Sequence, residues 1–189
     1  ELELHYKKLS KVKESDRQSS IEYIKTMLSE NNHLRKNLVL DNELFFDDLK
    51  AKFPNFKDVL DFYKGQFRLK TLTGKTRIQP ILLLGEAGVG KTYFAKELAQ
   101  LLNTGYTFID MGSLTSNWIL SGNNGSWKNA KQGKILESLM KSKTINPLIL
   151  MDELDKARSG DWDPTMVLYQ LLEEINAKEF IDEYIDFPF

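Results

Sequence analysis

An α/β fold built on a parallel sheet is predicted for this 189-residue chain, and three observations predict it. Short strand-like runs at 81–84, 106–110 and 148–151, the first and last of them continuously apolar, alternate with stretches whose apolar residues recur at helical spacing. The first run ends in a glycine-rich octapeptide, and the third ends in two acids. Alternation of this kind makes βαβ units, which place their strands side by side and parallel.

In chain order, residues 1–52 are polar and helical in character. Ile21, Ile24, Met27 and Leu28 share one helical face behind a Ser19 or Ser20 cap, which suits a packing segment without chemistry of its own. After Pro54-Asn55, the residues Phe56, Val59, Leu60, Tyr63 and Phe67 keep one face apolar, so a second helix is expected. A Thr/Gly/Lys loop ending at Pro80 leads into 81–84, where continuous Ile-Leu-Leu-Leu suits a strand buried on both faces. Residues 91–102 read as a helix with Phe94, Ala95, Leu98, Leu101 and Leu102 inward, stopped by Asn103 and Gly105. Strand 106–110 follows, then a Gly/Ser/Asn-rich loop over 112–132, then a helix carrying Ile135, Leu136, Leu139 and Met140. Pro147 precedes strand 148–151. Asp163-Pro164, a cap with proline at the first helical position, opens a last helix with Val167, Leu168, Leu171, Leu172 and Ile175 inward. The ending Asp186-Phe187-Pro188-Phe189 reads as a cut through a domain.

Composition narrows the function classes. With 41% apolar and 28% charged residues the chain has a globular balance. A formal charge of −1 gives no overall pull toward nucleic acid or an anionic membrane. The basic run Lys64, Arg68, Lys70, Lys75 and Arg77 is read as a solvated helix end and loop, with a polyphosphate or nucleic-acid contact as the alternative. Cysteine is absent, which removes disulfides and thiolate metal sites and fits a reducing, cytoplasmic setting. His5 and His33 are too few and too far apart for a histidine metal site or triad. No apolar run reaches the ~20 residues of a membrane span.

The chemistry-bearing motif is Gly85-Glu86-Ala87-Gly88-Val89-Gly90-Lys91-Thr92, a complete G-x-x-x-x-G-K-T between an apolar run and an amphipathic helix. Polyphosphate oxygens need backbone N–H groups aimed at them, and glycines let the main chain approach and adopt positive φ. The following helix start adds its positive dipole end. All eight residues, with Tyr93 behind them, are therefore candidate nucleotide-binding residues. Lys91 is expected to neutralise the β and γ phosphates, and Thr92 to give its hydroxyl to Mg²⁺. The partner motif is Asp152-Glu153 at the end of the third run, where parallel sheets bind ligands. Asp152 would hold the Mg²⁺ hydration shell, and Glu153 would orient and polarise the attacking water. Asp110, after the second run, is read as a cap or turn residue. No guanine-selecting N-K-x-D run occurs in 157–161, so ATP is favoured over GTP.

A more specific pattern surrounds these motifs. The segment Asn146-Pro147-Leu148-Ile149-Leu150-Met151-Asp152-Glu153-Leu154-Asp155-Lys156 resembles the N-P-hydrophobic-D-E-I-D-K segment of the Lon-family AAA+ module. Asp163-Pro164, Leu171-Leu172-Glu173 and Phe180-Ile181-Asp182-Glu183-Tyr184 sit where that family has D-P, L-L-E and F-x-D-x-Y. The likeness covers residues 53–189, so a partial AAA+ nucleotide-binding domain is expected there, preceded by the helical 1–52 segment. It implies a homo-oligomeric, usually hexameric ring that binds ATP at subunit interfaces and pulls a protein substrate through a central pore. It also places Trp127, followed by Lys128, at the aromatic position of the substrate-gripping pore loop. The loop around them is rich in Gly, Ser and Asn, so exposure is expected from the residues as well. Trp118 is expected against the sheet, and Trp162 is a second candidate for the pore.

The sequence departs from the family in places. Glu86-Ala87 stands where two prolines are usual, which should cost little because neither side chain is needed on phosphate. The family's sensor strand, arginine finger, helical lid and Ser–Lys peptidase have no counterpart in 1–189. The chain is therefore expected to bind ATP–Mg²⁺ but hydrolyse it weakly. A peptidase-free relative of Lon is preferred, because the first half does not read as a substrate-binding β-domain. The competing readings are an ATP-dependent regulatory switch and a nucleic-acid-linked P-loop ATPase.

Overall fold

The structure is a computed structural model and describes residues 1–10, 17–30, 36, 38, 44–73, 78–157 and 160–188. Helices α1 (Leu2–Leu9), α2 (Gln18–Ser29) and α3 (Phe45–Lys52) precede a 3₁₀ turn at Pro54–Phe56 and the long α4 (Lys57–Thr73). Helix α5 (Lys91–Leu101) then leads to β1 (Tyr106–Asp110), the short α6 (Trp118–Ser121), α7 (Lys134–Lys141) and β2 (Leu148–Asp152). The chain closes through α8 (Met166–Leu172), α9 (Glu174–Ala177) and the strands β3 (Ile181–Asp182) and β4 (Phe187–Pro188).

The expected parallel pairing is present. β1 lies beside β2 in register, Tyr106 opposite Leu148 through to Asp110 opposite Asp152. Between them the chain makes a crossover carrying α7, whose Ile135 and Leu136 are buried as the helical spacing requires. β3 and β4 form a separate antiparallel pair.

The predicted strand at 81–84 is not formed. Residues 81–84 run without strand pairing, and Leu82 and Leu84 are 67% and 85% exposed. Apolar sequence alone does not make a strand, because the backbone also needs a neighbour for its N–H and C=O groups. A cavity of about 840 Å³, lined by Ile78, Pro80, Leu148 and Ile149 among others, opens where such a neighbour would lie. For the same reason β2 is half-buried along its length rather than sealed on both faces.

Among the described residues, three apolar clusters hold the molecule. One joins Phe46 and Leu49 of α3 to Phe53, Phe56, Leu60, Phe67 and to Phe94 and Leu98 of α5. Phe56 and Phe94 stack with ring centroids 4.2 Å apart. A second cluster gathers Ile109, Met111, Leu120, Ile135, Leu168 and Phe180 behind the sheet. The third binds Leu2 of α1 and Ile24 and Met27 of α2 to Leu136, Tyr184 and Ile185. Residues before and after position 52 thus share two cores.

Several local expectations are corrected. Ser20 does not cap α2 but lies inside its first turn, buried, and donates its hydroxyl to the Arg17 carbonyl at 2.9 Å. Leu101 is 44% exposed, because α5 turns its other apolar residues to the core. The last helix begins at Met166, since Asp163 caps the turn before it by accepting from the Thr165 N–H at 2.8 Å. It breaks at Glu173, which leaves Leu172 and Ile175 50% and 74% exposed. The basic run is less solvated than expected. Lys64 pairs with Asp47 at 3.1 Å and Lys70 donates to the Leu38 carbonyl. Lys75 and Arg77 lie outside the described residues.

The unequal burial of two apolar side chains gives a direct test. Phe94→Ala removes a 2% exposed ring from the aromatic stack and should cost about 3–5 kcal/mol in denaturant unfolding. Leu82→Ala should change stability by about 0.5 kcal/mol or less. Equal losses would contradict the exposed placement of 81–84.

Candidate functional site

The glycine-rich octapeptide forms an exposed turn between the unpaired 81–84 segment and α5. Gly88 and Gly90 have φ of 84° and 91°, the left-handed region in which a side chain is strained. Gly90 is the N-cap of α5, so the free N–H groups of the first helical turn face outward from this bend. Gly85, Glu86, Ala87, Gly88 and Val89 are all exposed. The Lys91 ammonium folds back over the bend and donates to the carbonyls of Gly85 at 2.8 Å and Glu86 at 2.9 Å. A contact that sequence reasoning missed braces the turn from outside, where the Asn55 side-chain amide donates to the Val89 carbonyl at 3.2 Å. Tyr93 is half-exposed and packs on Phe53, ring centroids 5.4 Å apart. The Lys52 ammonium stands 5.1 Å over the Tyr93 ring and 2.6 Å from Glu97. Its pKa is raised, first by its hydrogen bond to Glu97.

The acidic pair meets the glycine-rich turn across the sheet end. Thr92 Oγ1 donates to Asp152 Oδ2 at 3.2 Å. The other Asp152 oxygen accepts from the Glu153 N–H at 3.0 Å. Glu153 has φ 54° and ψ 39°, a left-handed bend that turns its side chain out of the strand. There it pairs with Lys156 at 2.5 Å, and that contact raises the Lys156 pKa. Gly112 makes room for the arrangement: a Cβ there would stand 3.1 Å from Glu153 Oε2 and 3.2 Å from Lys156 Cβ. Asp110 is the cap of a 3₁₀ turn, accepting from the Ser113 N–H at 3.3 Å, as its sequence context suggested.

No group of three or more acids or histidines among the described residues could hold a metal ion by itself. The Thr92–Asp152 pair nonetheless fits Mg²⁺, which keeps several waters and takes one or two protein oxygens beside phosphate.

Trp127 and Lys128 lie apart from these groups, on the loop between α6 and α7. Both are exposed, Trp127 at 54%, as the Gly/Ser/Asn composition predicts. Trp118 corrects the expectation of burial against the sheet. It is half-buried and stands edge-on between Trp127 at 6.3 Å and Trp162 at 4.9 Å, joining two exposed loops.

The ATPase family associated with various cellular activities (AAA) matches residues 81–183. That stretch is over half of the chain and holds the glycine-rich turn, both acids and all three tryptophans. The chain belongs to the AAA ATPase family. Its relatives make the resemblance to Lon concrete. The mitochondrial Lon protease homolog of Homo sapiens is 36% identical over 133 residues, 70% of this chain and 14% of that protein. The Emericella nidulans homolog is 35% identical over 143 residues, 75% and 13% of the two chains. That of Drosophila melanogaster is 33% identical over 149 residues, 78% and 14%. This AAA module thus spans about one-seventh of the length of those relatives. Among the described residues no helix is long and apolar enough to cross a membrane.

Asp182, which sequence reasoning quoted without a role, proves to be a fully buried carboxylate. It accepts from the backbone N–H groups of Gly133 at 2.7 Å, Tyr184 at 3.0 Å and Ile185 at 3.4 Å. Burial pushes its carboxyl up to about 6, with those three donors working against the rise and the Glu183 charge adding to it. In the native chain the proton is therefore held to about pH 6, whereas the unfolded chain releases it near 3.8. The stabilisation from this proton is greatest below 3.8 and is lost as pH rises through 6, by about 3 kcal/mol. Asp182→Asn carries no titrating proton at this position. The unfolding free energy of the wild type minus that of Asp182→Asn should therefore fall by roughly this amount between about pH 4 and about pH 7. A difference independent of pH would contradict it.

Proposed function

We propose that this chain is the ATP-binding and ATP-hydrolysing part of a motor that remodels or unfolds protein substrates. The observation that carries the reading is the Thr92–Asp152 contact. Two residues 60 positions apart are brought together at 3.2 Å, beside backbone amides suited to phosphate. Thr92 and Asp152 meet through polar atoms, and the Lys91 ammonium lies on the same glycine-rich turn, over the Gly85 and Glu86 carbonyls.

Each side chain has a role in that reading. Lys91 exchanges the carbonyls of Gly85 and Glu86 for β and γ phosphate oxygens, which are stronger acceptors for an ammonium. The amides around Gly88 and Gly90, with the first turn of α5, take the remaining phosphate oxygens. Thr92 Oγ1 and Asp152 hold Mg²⁺, which when bound screens the charge between nucleotide and nucleophile. Glu153 leaves Lys156 to orient a water and accept its proton. That exchange is cheap, because an exposed ion pair contributes only about 0–1 kcal/mol. Trp127 and Lys128 contact extended polypeptide, and an aromatic ring with few rotatable bonds makes a large adaptable surface for it. The complete protein works as a homo-oligomeric ring, as in the AAA+ modules it resembles. The proteolysis that the relatives' names denote belongs to those proteins.

A nucleic-acid-linked motor has less support, because Lys64 and Lys70 of the basic run are already engaged within the fold.

Isothermal titration tests the site. Lys91→Ala should weaken Mg²⁺–ATP binding by about 10–100-fold. Glu153→Gln should keep the affinity and abolish turnover. Normal hydrolysis by Glu153→Gln would remove its catalytic role. In the full-length protein, Trp127→Ala should abolish the stimulation of ATP turnover by unfolded polypeptide. Unchanged stimulation would favour a nucleotide-dependent switch instead.

A further inference from the structure

The loop bearing Trp127 is closed at its base. Its ends, Gly122 and Gly133, are both buried and in contact: a Cβ on Gly133 would stand 2.1 Å from the Leu120 carbonyl oxygen and 2.5 Å from Gly122 N. A Cβ on Gly122 would stand 2.7 Å from Asp182 Oδ1. Between the two ends, Asn123 N–H donates to the Lys131 carbonyl at 3.1 Å. The Glu183 N–H donates to the Ser121 carbonyl at 2.9 Å, so the β3–β4 hairpin is bonded to the same base. Lys131 at the base is exposed, and so is the tip, residues 126–129. Its turn is drawn by bonds from Trp127 N–H to the Asn124 carbonyl and from Ala130 N–H to the Trp127 carbonyl.

We propose that Asp182 is the positioning residue of this loop: its buried carboxylate ties Gly133 to the β3–β4 hairpin beside Gly122, and so fixes where Trp127 and Lys128 stand. A buried carboxylate is a costly way to join two segments, but an apolar side chain there would leave the Gly133, Tyr184 and Ile185 N–H groups without this acceptor. What the carboxylate supplies is direction. One oxygen accepts from Gly133 on the loop side, and the other accepts from Tyr184 and Ile185 on the hairpin side. No single neutral acceptor reaches both. The tie also connects the loop to the core that α1 and α2 share with Tyr184 and Ile185. The exposed tip is thus supported from the N-terminal helices as well as from the sheet. This inference rests on the reading of Trp127 as the substrate contact.

Asp182→Asn separates the two sides of the tie. Its remaining carbonyl oxygen can keep the hairpin bonds, while its amide nitrogen meets the Gly133 N–H donor to donor. In the full-length protein the polypeptide concentration giving half-maximal stimulation of ATP turnover should rise by about 10-fold or more. Mg²⁺–ATP affinity, read by titration, should stay unchanged. Trypsin should cut after Lys128 at least about 10-fold faster, because the base of the loop opens more often. The chain has no cysteine, so a rescue is available. Asn123→Cys with Lys131→Cys in the Asp182→Asn background should reverse both changes when oxidised and restore them when reduced.

Wild-type stimulation and cleavage in Asp182→Asn would overturn the proposal. Loss of ATP affinity alongside them, or no rescue by the oxidised pair, would reduce Asp182 to general support and overturn it too. If Trp127→Ala leaves stimulation intact while Asp182→Asn still speeds cleavage at Lys128, the tie stands and the substrate role of the loop falls.

Discussion

The parallel register of β1 on β2 sets the position of every group in the candidate site. With Asp110 opposite Asp152, the 3₁₀ turns that leave the two strands, Met111–Ser113 and Leu154–Lys156, come into contact. Glu153 then lies over Gly112, and Asp152 faces Thr92 on the adjoining helix. A slip of one residue would carry Asp152 to the opposite face of the sheet and leave Thr92 without its partner. Helix α5 resists such a slip because it packs against both strands, with Ala95, Leu98 and Ala99 buried. The small residues let helix and sheet approach closely, and Phe94 and Leu98 anchor the same helix in the aromatic cluster.

Whatever local chemistry could specify was legible in the chain. Positive φ at Gly88 and Gly90, the exposure of the loop tip at 126–129 and the capping role of Asp110 all follow from the residue types themselves. So does the helix after Pro54, whose apolar stripe appears as predicted at Phe56, Leu60 and Phe67. What sequence reasoning misjudged depends on neighbours that pattern does not reveal. Residues 81–84 have a strand's composition but no strand partner among the described residues. Leu172 and Ile175 continue a helical stripe that the break at Glu173 interrupts. Asn55, Lys156 and Asp182 are ordinary polar residues by sequence. Their contacts reach across the fold or around a bend, and no spacing rule points to them.

Trp118 gives the two exposed loops something in common. It holds Trp127 on one side and Trp162 on the other by edge-to-face contacts, each contributing about 0.5–1.5 kcal/mol beyond simple burial. Trp162 lies shortly after the 154–156 turn that follows the acidic pair. The two loops are positioned as a pair rather than independently.

The unpaired 81–84 segment has a practical corollary for anyone handling the isolated polypeptide. A segment without strand pairing among the described residues, carrying protruding leucines, is a candidate for pairing with another copy of itself. Leu82 and Leu84 supply the apolar contact, and no charged residue in 81–84 opposes it. Concentrated preparations should be sticky at this seam, and a lysine introduced at position 82 or 84 is the economical way to keep the material monodisperse.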